Sequence, residues 1–346
     1  MAESAATPPP RLALTMGDVA GIGPEVIARA VHETPGMLVV GHPVVLVRAL
    51  ALIGSDRTVH PVTDPRTTGV PPGAIPCWNP SEVDVADVAP ATISAESGQA
   101  ACDWLQQAAR AALAGDIDAI VTAPLHKTAL AAAGIEHPGH TEILAETCGI
   151  DDVAMMLYLP PHNPGLAASG LGVAHVTLHT SLSSVPGLLS ISRIESRISL
   201  LDGFLRDLGC QAPRIGVCAL NPHAGENGLF GDEEAEVIAP AVAQAVEEGL
   251  DVTGPLPADA LLRRAVQGEF DAVVAMYHDQ GHIALKLVGF ETAVNITLGL
   301  PILRTSPSHG TAFDIAWQGL ANGRGLQAAI ETAKQLHCNR TEDACL

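Results

Sequence analysis

Apolar runs of strand length alternate with helical patterns along most of this chain, and few architectures accept that order. Leu12–Met16 reads as a strand followed by a glycine-rich turn. Pro24–Glu33 reads as a helix with proline at its first position, where a missing N–H is harmless. Met37–Gly41 and Val44–Val47 are further short apolar stretches. Ala95–Ala114 reads as a long Ala-rich helix and Ala119–Thr122 as a strand. Glu233–Glu248 reads as a helix with Asp232 as its N-cap, and Pro257–Gln267 as another that leads into the strand Ala272–Tyr277. The alternation predicts an α/β protein with a mostly parallel sheet, and no internal repeat interrupts it. With 346 residues, 47% apolar and only 16% charged, the chain has material for two domains or one large one and is not globally disordered.

Three histidines follow strand-like runs. His179 ends the run Leu171–Leu178, His223 follows Ile215–Leu220 and an Asn-Pro turn, and His278 follows Ala272–Tyr277. Open α/β sheets bind ligands outside the carboxyl ends of their strands. Three imidazoles delivered there form a candidate divalent-metal site with open coordination positions. They lie 44 and 55 positions apart, so no local spacing signature ties them together. Asp279 and His282 stand beside His278 as candidates to orient it.

Other polar residues are candidates for binding. The loop Gly139-His140-Thr141-Glu142 opens a helix, and helix starts offer free N–H groups to anions; Thr141 as a simple cap is the competing reading. Only three lysines exist, Lys127, Lys286 and Lys334, so Lys286 near His278 stands out, as does Arg304 after the run Asn295–Leu303. Asn295 in that run is expected to be half-buried and to need a partner. The glycine-rich turn Gly17–Gly23 is not the G-x-G-x-x-G dinucleotide fingerprint and reads best as a structural strand-to-helix turn. His309-Gly310-Thr311 reads as leading into a helix with Asp314 one turn in, an arrangement that can seat a nucleotide. The stretch Pro160–Gly172 reads as an extended hairpin loop or, alternatively, as a mobile flap beside the site.

Charge limits the partners. With 38 acidic against 18 basic residues the net charge is −20, which argues against nucleic acid and anionic membrane surfaces. Seven scattered cysteines without a C-x-x-C pair, no signal peptide and no apolar run of membrane-spanning length predict a soluble cytoplasmic protein with reduced thiols.

The segments TMGDVAGIGPE, VTAPLHK, PGHTE, ALNPHAGE, MYHDQGH and NITLGLPILRTSPSHGTAFDIA occur in this order from about Leu12 to Asn322. Together they resemble the 4-hydroxythreonine-4-phosphate dehydrogenase (PdxA) family. That resemblance implies two α/β/α domains around a cleft, similar to isocitrate and isopropylmalate dehydrogenases. It implies a discontinuous first domain over residues 12–135 and 290–338, a second over 136–289 carrying the histidines, and loose tails at 1–11 and 339–346. It implies a divalent metal (Zn, Mg, Mn or Co) on His179, His223 and His278, and a homodimer that shares its active site between subunits. Substrate contacts fall on His140, Thr141, Lys286, Asn295 and Arg304, with Lys286 and Asp279 the catalytic candidates and Lys127 a weaker one. NAD is expected on His309, Gly310, Thr311, Ala312, Asp314 and Asn322, in the manner of isopropylmalate dehydrogenases.

The implied activity is NAD-dependent oxidation and decarboxylation of a phosphorylated β-hydroxy acid. The leading substrate is 4-phosphohydroxy-L-threonine, in pyridoxal phosphate biosynthesis. The segment YHDQGHIALKLVGF is similar to the branch acting on 4-phospho-D-threonate or 4-phospho-D-erythronate, and another relative oxidises an aromatic cis-dihydrodiol. Val19, His126 and Pro307-Ser308 depart from the family pattern without removing a ligand candidate. Two other classes remain in view. A phosphate acyltransferase shares the broad fold but needs neither NAD nor three histidines; a non-catalytic metal or metabolite binder would form no NADH.

Overall fold

The computed structural model describes residues 9–34, 36–163 and 165–343. Its strands are β1 (Leu12–Thr15), β2 (Leu38–Val40), β3 (Val59–Val62), β4 (Ile75–Trp78), β5 (Ala119–Thr122), β6 (Ala154–Leu159), β7 (Leu171–His175), β8 (Arg214–Cys218), β9 (Asp251–Leu256), β10 (Ala272–Ala275), β11 (Val294–Leu298) and β12 (Leu303–Pro307). The chain divides into two compact units. The first comprises the described residues up to Ile150 and from Leu300 onward; the second is Asp151–Gly299.

The first unit orders its strands β3-β4-β2-β1-β5-β12, and every pairing is parallel. β1, β2, β5 and β12 are buried at every position, as strands covered on both faces must be. The helix Gly23–Glu33 starts with Pro24, as expected. The helix Ala95–Leu113 starts at Ser94, whose hydroxyl accepts the Ser97 N–H at 3.1 Å. The apolar stretch Val44–Val47 lies in a helix that Pro43 opens and that runs to Leu52.

The second unit orders its strands β11-β6-β7-β10-β8-β9. β7, β10, β8 and β9 are mutually parallel, whereas β6 pairs antiparallel with both β7 and β11. Its core packs Leu157, Leu171, Val173, Leu261, Phe270 and Leu285 between sheet and helices. The expected helix Glu233–Glu248 is broken. Glu234–Ile238 is a wide π-turn, and the α-helix runs over Ala239–Glu247. Pro240 has no N–H to give and its ring crowds the carbonyl one turn back, which widens the helix there. The N-cap residue of the π-turn is Glu233 rather than Asp232, and no side chain caps it.

The units divide at 150 and 299 rather than at 135 and 289. The helix His140–Cys148 packs on the helix Ala95–Leu113 of the first unit. β11 pairs with β6 of the second. Of the expected tails, residues 1–8 and 344–346 lie outside the described residues. Arg11 is not loose, since its guanidinium and N–H bind Asp118. Residues 339–343 continue the last helix, Arg324–Asp343, because that stretch holds neither Gly nor Pro to stop it.

The stretch from Pro160 to Gly172 joins antiparallel β6 and β7, so it is a hairpin connection. Tyr158 donates to the Ser169 carbonyl (2.8 Å), and Ser169 donates to Asp271 (2.6 Å), the residue just before β10. This loop is therefore tied down at the amino ends of β7 and β10. The histidines follow the carboxyl ends, so the reading of a flap beside them is overturned. Among the described residues, no helix is long and apolar enough to cross a membrane.

Candidate active site

In the second unit the parallel neighbours β7, β10 and β8 all point the same way. Each is followed at its carboxyl end by one of the three histidines, so strand direction alone brings them to one sheet edge. Pairing of β7 with β10 continues past the strands: the Val176 and Thr177 N–H groups donate to the Ala275 and Met276 carbonyls. This carries His179 alongside His278, with ring centres 5.7 Å apart. Both rings line one open pocket with Thr180, Ser181, Tyr277 and Asp279.

His278 is the first residue of the helix His278–Gly289. Gln280 anchors that helix start, accepting the Met276 N–H (2.7 Å) and donating to the Ala219 carbonyl beyond β8 (2.8 Å). Asp279 takes the Nδ1–H of His278 at 2.7 Å, which leaves Nε2 of the neutral ring bare, the form a metal ligand needs.

Behind His278 lies a second pair of imidazoles. His282, one turn on, stacks on the His278 ring with centres 3.7 Å apart. Its Nδ1 lies 3.1 Å from Nε2 of His175, a buried residue of β7. His175 Nδ1 faces the Met155 carbonyl at 3.5 Å, and a carbonyl only accepts. The proton on Nδ1 therefore makes Nε2 the acceptor for His282. Burial pushes both rings down, His175 to about 3 and His282 to about 4, with His282 the next cause for the first and His278 for the second. Both stay neutral at ordinary pH, which keeps this chain of bonds intact. His175 carried no sequence signal beyond being a titratable residue inside an apolar run.

His223 is presented differently. It is exposed and opens a run of left-handed residues: His223 (φ 56°), Ala224 (54°), Gly225 (76°), Glu226 (45°) and Asn227 (56°). An L-residue in that region costs about 1–2 kcal/mol, less for Asn. Such strain persists only where the surroundings enforce it, and it is common at functional sites.

The separation of His179 and His278 is within the reach of two ligands of one metal ion. With metal–nitrogen bonds near 2.1 Å, two ring centres on one ion lie at most roughly 6.5 Å apart. Their 5.7 Å is inside that reach. Among the described residues of a single chain, no three His, Cys, Asp or Glu side chains are grouped closely enough to hold a metal, so His223 does not complete the set within one chain.

Lys286, on the same helix, is half-buried with its ammonium 5.8 Å from the Phe290 ring. Asn295, on β11, is half-buried, and its side-chain oxygen is buried without a partner. A buried acceptor left unmade is costly, so a ligand donor is welcome there.

In the first unit, Arg304 lies on β12 and is 3% exposed, donating to the Thr122 hydroxyl at the end of β5 (2.7 Å). Burial pushes its guanidinium down to about 10, with Glu142 pulling the other way. His140 Nε2 faces the Ala123 carbonyl, also at the end of β5, at 3.2 Å. Burial, with Arg304 nearby, holds its pKa well below the usual imidazole value. Gly139 rather than Thr141 is the N-cap residue of the helix His140–Cys148, and no side chain caps it.

His309–Ala312 follow the carboxyl end of β12. The Thr311 carbonyl accepts the Ile22 N–H, and Ala312 is left-handed (φ 43°). The glycine-rich turn spends its own N–H groups on the protein: those of Asp18 to Ile22 go to Pro124, Ser97, Asp18 and Thr311. It is a structural turn, as expected. Residues 313–319 are turns rather than the expected helix, and Asp314 is exposed there. Asn322 accepts the Arg324 N–H at the start of the last helix. Glu25 accepts the Ala321 N–H and Arg29 donates to the Gly319 carbonyl, which fixes the loop before Asn322.

The profile of the family described as pyridoxal phosphate biosynthetic protein PdxA matches residues 33–333. The chain belongs to the PdxA family. A family member from Geobacter metallireducens, a 4-hydroxythreonine-4-phosphate dehydrogenase, is 44% identical over 332 residues, covering 94% of this chain and 95% of that one. A D-threonate 4-phosphate dehydrogenase of Salmonella typhimurium is 43% identical over 341 residues, covering 94% and 98%. The crystal structure of a 4-hydroxythreonine-4-phosphate dehydrogenase from Klebsiella pneumoniae superposes with a TM-score of 0.83 at 44% identity, covering 95% and 99%.

Proposed function

We propose that this PdxA-family chain is a dehydrogenase that oxidises the secondary alcohol of a phosphorylated β-hydroxy acid with NAD and a divalent metal, followed by loss of CO2. The leading substrate is 4-phosphohydroxy-L-threonine, giving 3-amino-2-oxopropyl phosphate. The second is 4-phospho-D-threonate or 4-phospho-D-erythronate, giving dihydroxyacetone phosphate; the D-threonate 4-phosphate dehydrogenase, at 43% identity against 44% for the first relative, supports it. The observation that carries the reading is the pair His179 and His278, 5.7 Å apart in one pocket at the carboxyl edge of parallel strands.

A divalent ion on His179, His278 and His223 would supply Lewis-acid chemistry at the substrate hydroxyl and at the ketone that follows. Asp279 holds His278 in the tautomer with Nε2 bare. Arg304 carries the positive charge for an anionic substrate end, and its low solvation strengthens that attraction. His140, neutral with its Nε2–H turned to Ala123, offers Nδ1 as an acceptor and so suits a substrate hydroxyl better than an anion. Thr141 adds a first-turn N–H. The unpartnered oxygen of Asn295 suits a substrate N–H or O–H. Lys286 holds a proton for the carbon left by decarboxylation. Loop residues His309–Ala312 with Asp314 and Asn322 suit the adenosine half of NAD, Asp314 as an exposed acceptor for ribose hydroxyls. Because one chain supplies only two of the histidines to a common pocket, the reading includes a homodimer in which a second copy brings the third.

The test is a substrate panel followed at the NADH absorbance: the three phosphorylated acids and an aromatic cis-dihydrodiol, each with and without a chelator. NADH is expected from a phosphorylated acid only, lost with chelator and in His278→Ala. NADH from none of the three phosphorylated acids, or undiminished turnover in His278→Ala, overturns the reading.

A further inference from the structure

We infer that Glu234 is a positioning residue whose carboxylate holds the left-handed turn that aims His223. The inference deepens the metal-dependent reading above and rests on it for the role of His223.

Glu234 is 6% exposed, although it sits in the acidic run Asp232–Glu236. Its carboxylate bonds all reach the segment just before His223. Oε1 accepts the N–H groups of Leu220 (2.9 Å) and Asn221 (2.7 Å), and Oε2 accepts the Asn221 side-chain amide (3.0 Å). The same amide also donates to Glu233 at 2.6 Å. On the other side of His223, Gly225 is packed on this carboxylate so closely that a Cβ there would lie 2.8 Å from Oε2. One buried charged group thus grips the chain two and three residues before His223 and two residues after it. Charge-assisted bonds to backbone N–H groups are the stronger kind, and burial removes competing water. Between two fixed points so close in sequence the chain must reverse at once, and the left-handed φ of His223 and Ala224 does that. The turn is then closed by the Gly228 and Phe230 N–H groups on the Gly225 carbonyl (3.0 and 3.1 Å). Glu234 itself stands at the start of the π-turn that Pro240 forces, so a helix defect and the histidine turn form one assembly.

The test uses the full, metal-free chain titrated with Co2+, followed by visible absorption, together with amide hydrogen exchange over residues 223–228. Glu234→Gln is expected to speed exchange in that segment and to weaken Co2+ binding ten- to hundredfold, the range for partners that orient metal ligands. Gly225→Ala attacks the same contact from the other side and should do likewise, which covers the case in which Glu234→Gln fails to fold. Glu234→Asp should recover part of the loss, and Glu236→Gln, on an exposed neighbour, should change neither readout. Unchanged exchange and affinity in both Glu234→Gln and Gly225→Ala overturn the inference. So does faster exchange with unchanged affinity when His223→Ala loses affinity. If His223→Ala keeps its Co2+ affinity, the metal role of His223 fails instead. The exchange result then decides alone: faster exchange upholds the grip of Glu234 on the turn, and unchanged exchange ends it.

Discussion

His140 links the site to stability through a single proton. Unfolded, its imidazole titrates near pH 6.5. Folded, burial and then the Arg304 guanidinium hold it well below that value, with the Ala123 carbonyl opposing. Above about pH 6.5 both states are neutral and the residue adds no pH dependence. Below it, the unfolded chain binds a proton that the folded chain refuses, so stability falls with pH by up to about 1.4 kcal/mol per pH unit. His140→Gln keeps an N–H for Ala123 and removes the titration. Urea unfolding of the metal-free chain between pH 6.5 and 5 should show its slope reduced by about one proton; an identical slope would show the ring is not held neutral. Residues of this kind differ in how well the sequence announces them. His179 and His278 stood out because an apolar run ends beside each, and strand direction then places them. Arg304 was visible as a rare cation in an apolar setting. His175 reads as core until the helix carrying His282 is laid across it, and Glu234 reads as a solvated charge until the Asn-Pro turn folds back over it.

The helix His278–Gly289 shows how an element is fitted to its sheet. Gly281 faces β7, and a Cβ there would lie 2.5 Å from His175 Nε2 and 2.7 Å from the Val173 side chain. Gly281→Ala gains about 1 kcal/mol of helix propensity but must push the helix outward, and overpacking typically costs about 1–3 kcal/mol. A net loss of stability is expected in urea unfolding, with the His175–His282 bond opened. A variant as stable as the parent would mean that the helix shifts freely. The same element explains what could be read beforehand. Strand-length apolar runs with helices between them gave the parallel core, since burial on both faces leaves a pattern in the residues themselves. What escaped depends on partners distant in sequence. Val44–Val47 is too short an apolar stretch to declare its own conformation until Pro43 starts a helix, and Pro240 breaks a helix whose apolar spacing otherwise continues. The segment 160–170 could be assigned to the wrong end of the sheet because its tether, Asp271, lies about a hundred residues away.

At the scale of the whole molecule, the second unit exposes several large apolar side chains. Ile283 and Leu287, with Phe290 just past the helix end, share one helix face by their spacing and are 57%, 82% and 60% exposed. Leu229 and Phe230, in the loop that follows the His223 turn, are exposed too. Exposed apolar side chains that share a face commonly mark an interface. A two-fold contact there would be isologous, each copy giving the other what it receives. This suits a site in which one copy holds His179 and His278 and the other presents His223. The arrangement has a numerical consequence. His223→Ala and His278→Ala should each be inactive alone. Unfolded together and refolded as a mixture, half of the dimers would carry one copy of each variant. In such a dimer one site receives both defects and the other receives none. The mixture should therefore recover roughly a quarter of the parental activity. Leu287→Glu, which puts a charge on the apolar face, should yield monomers in sedimentation and abolish the recovery. No activity from the mixture, with mixed dimers shown to form, would mean that each site draws its histidines from a single chain.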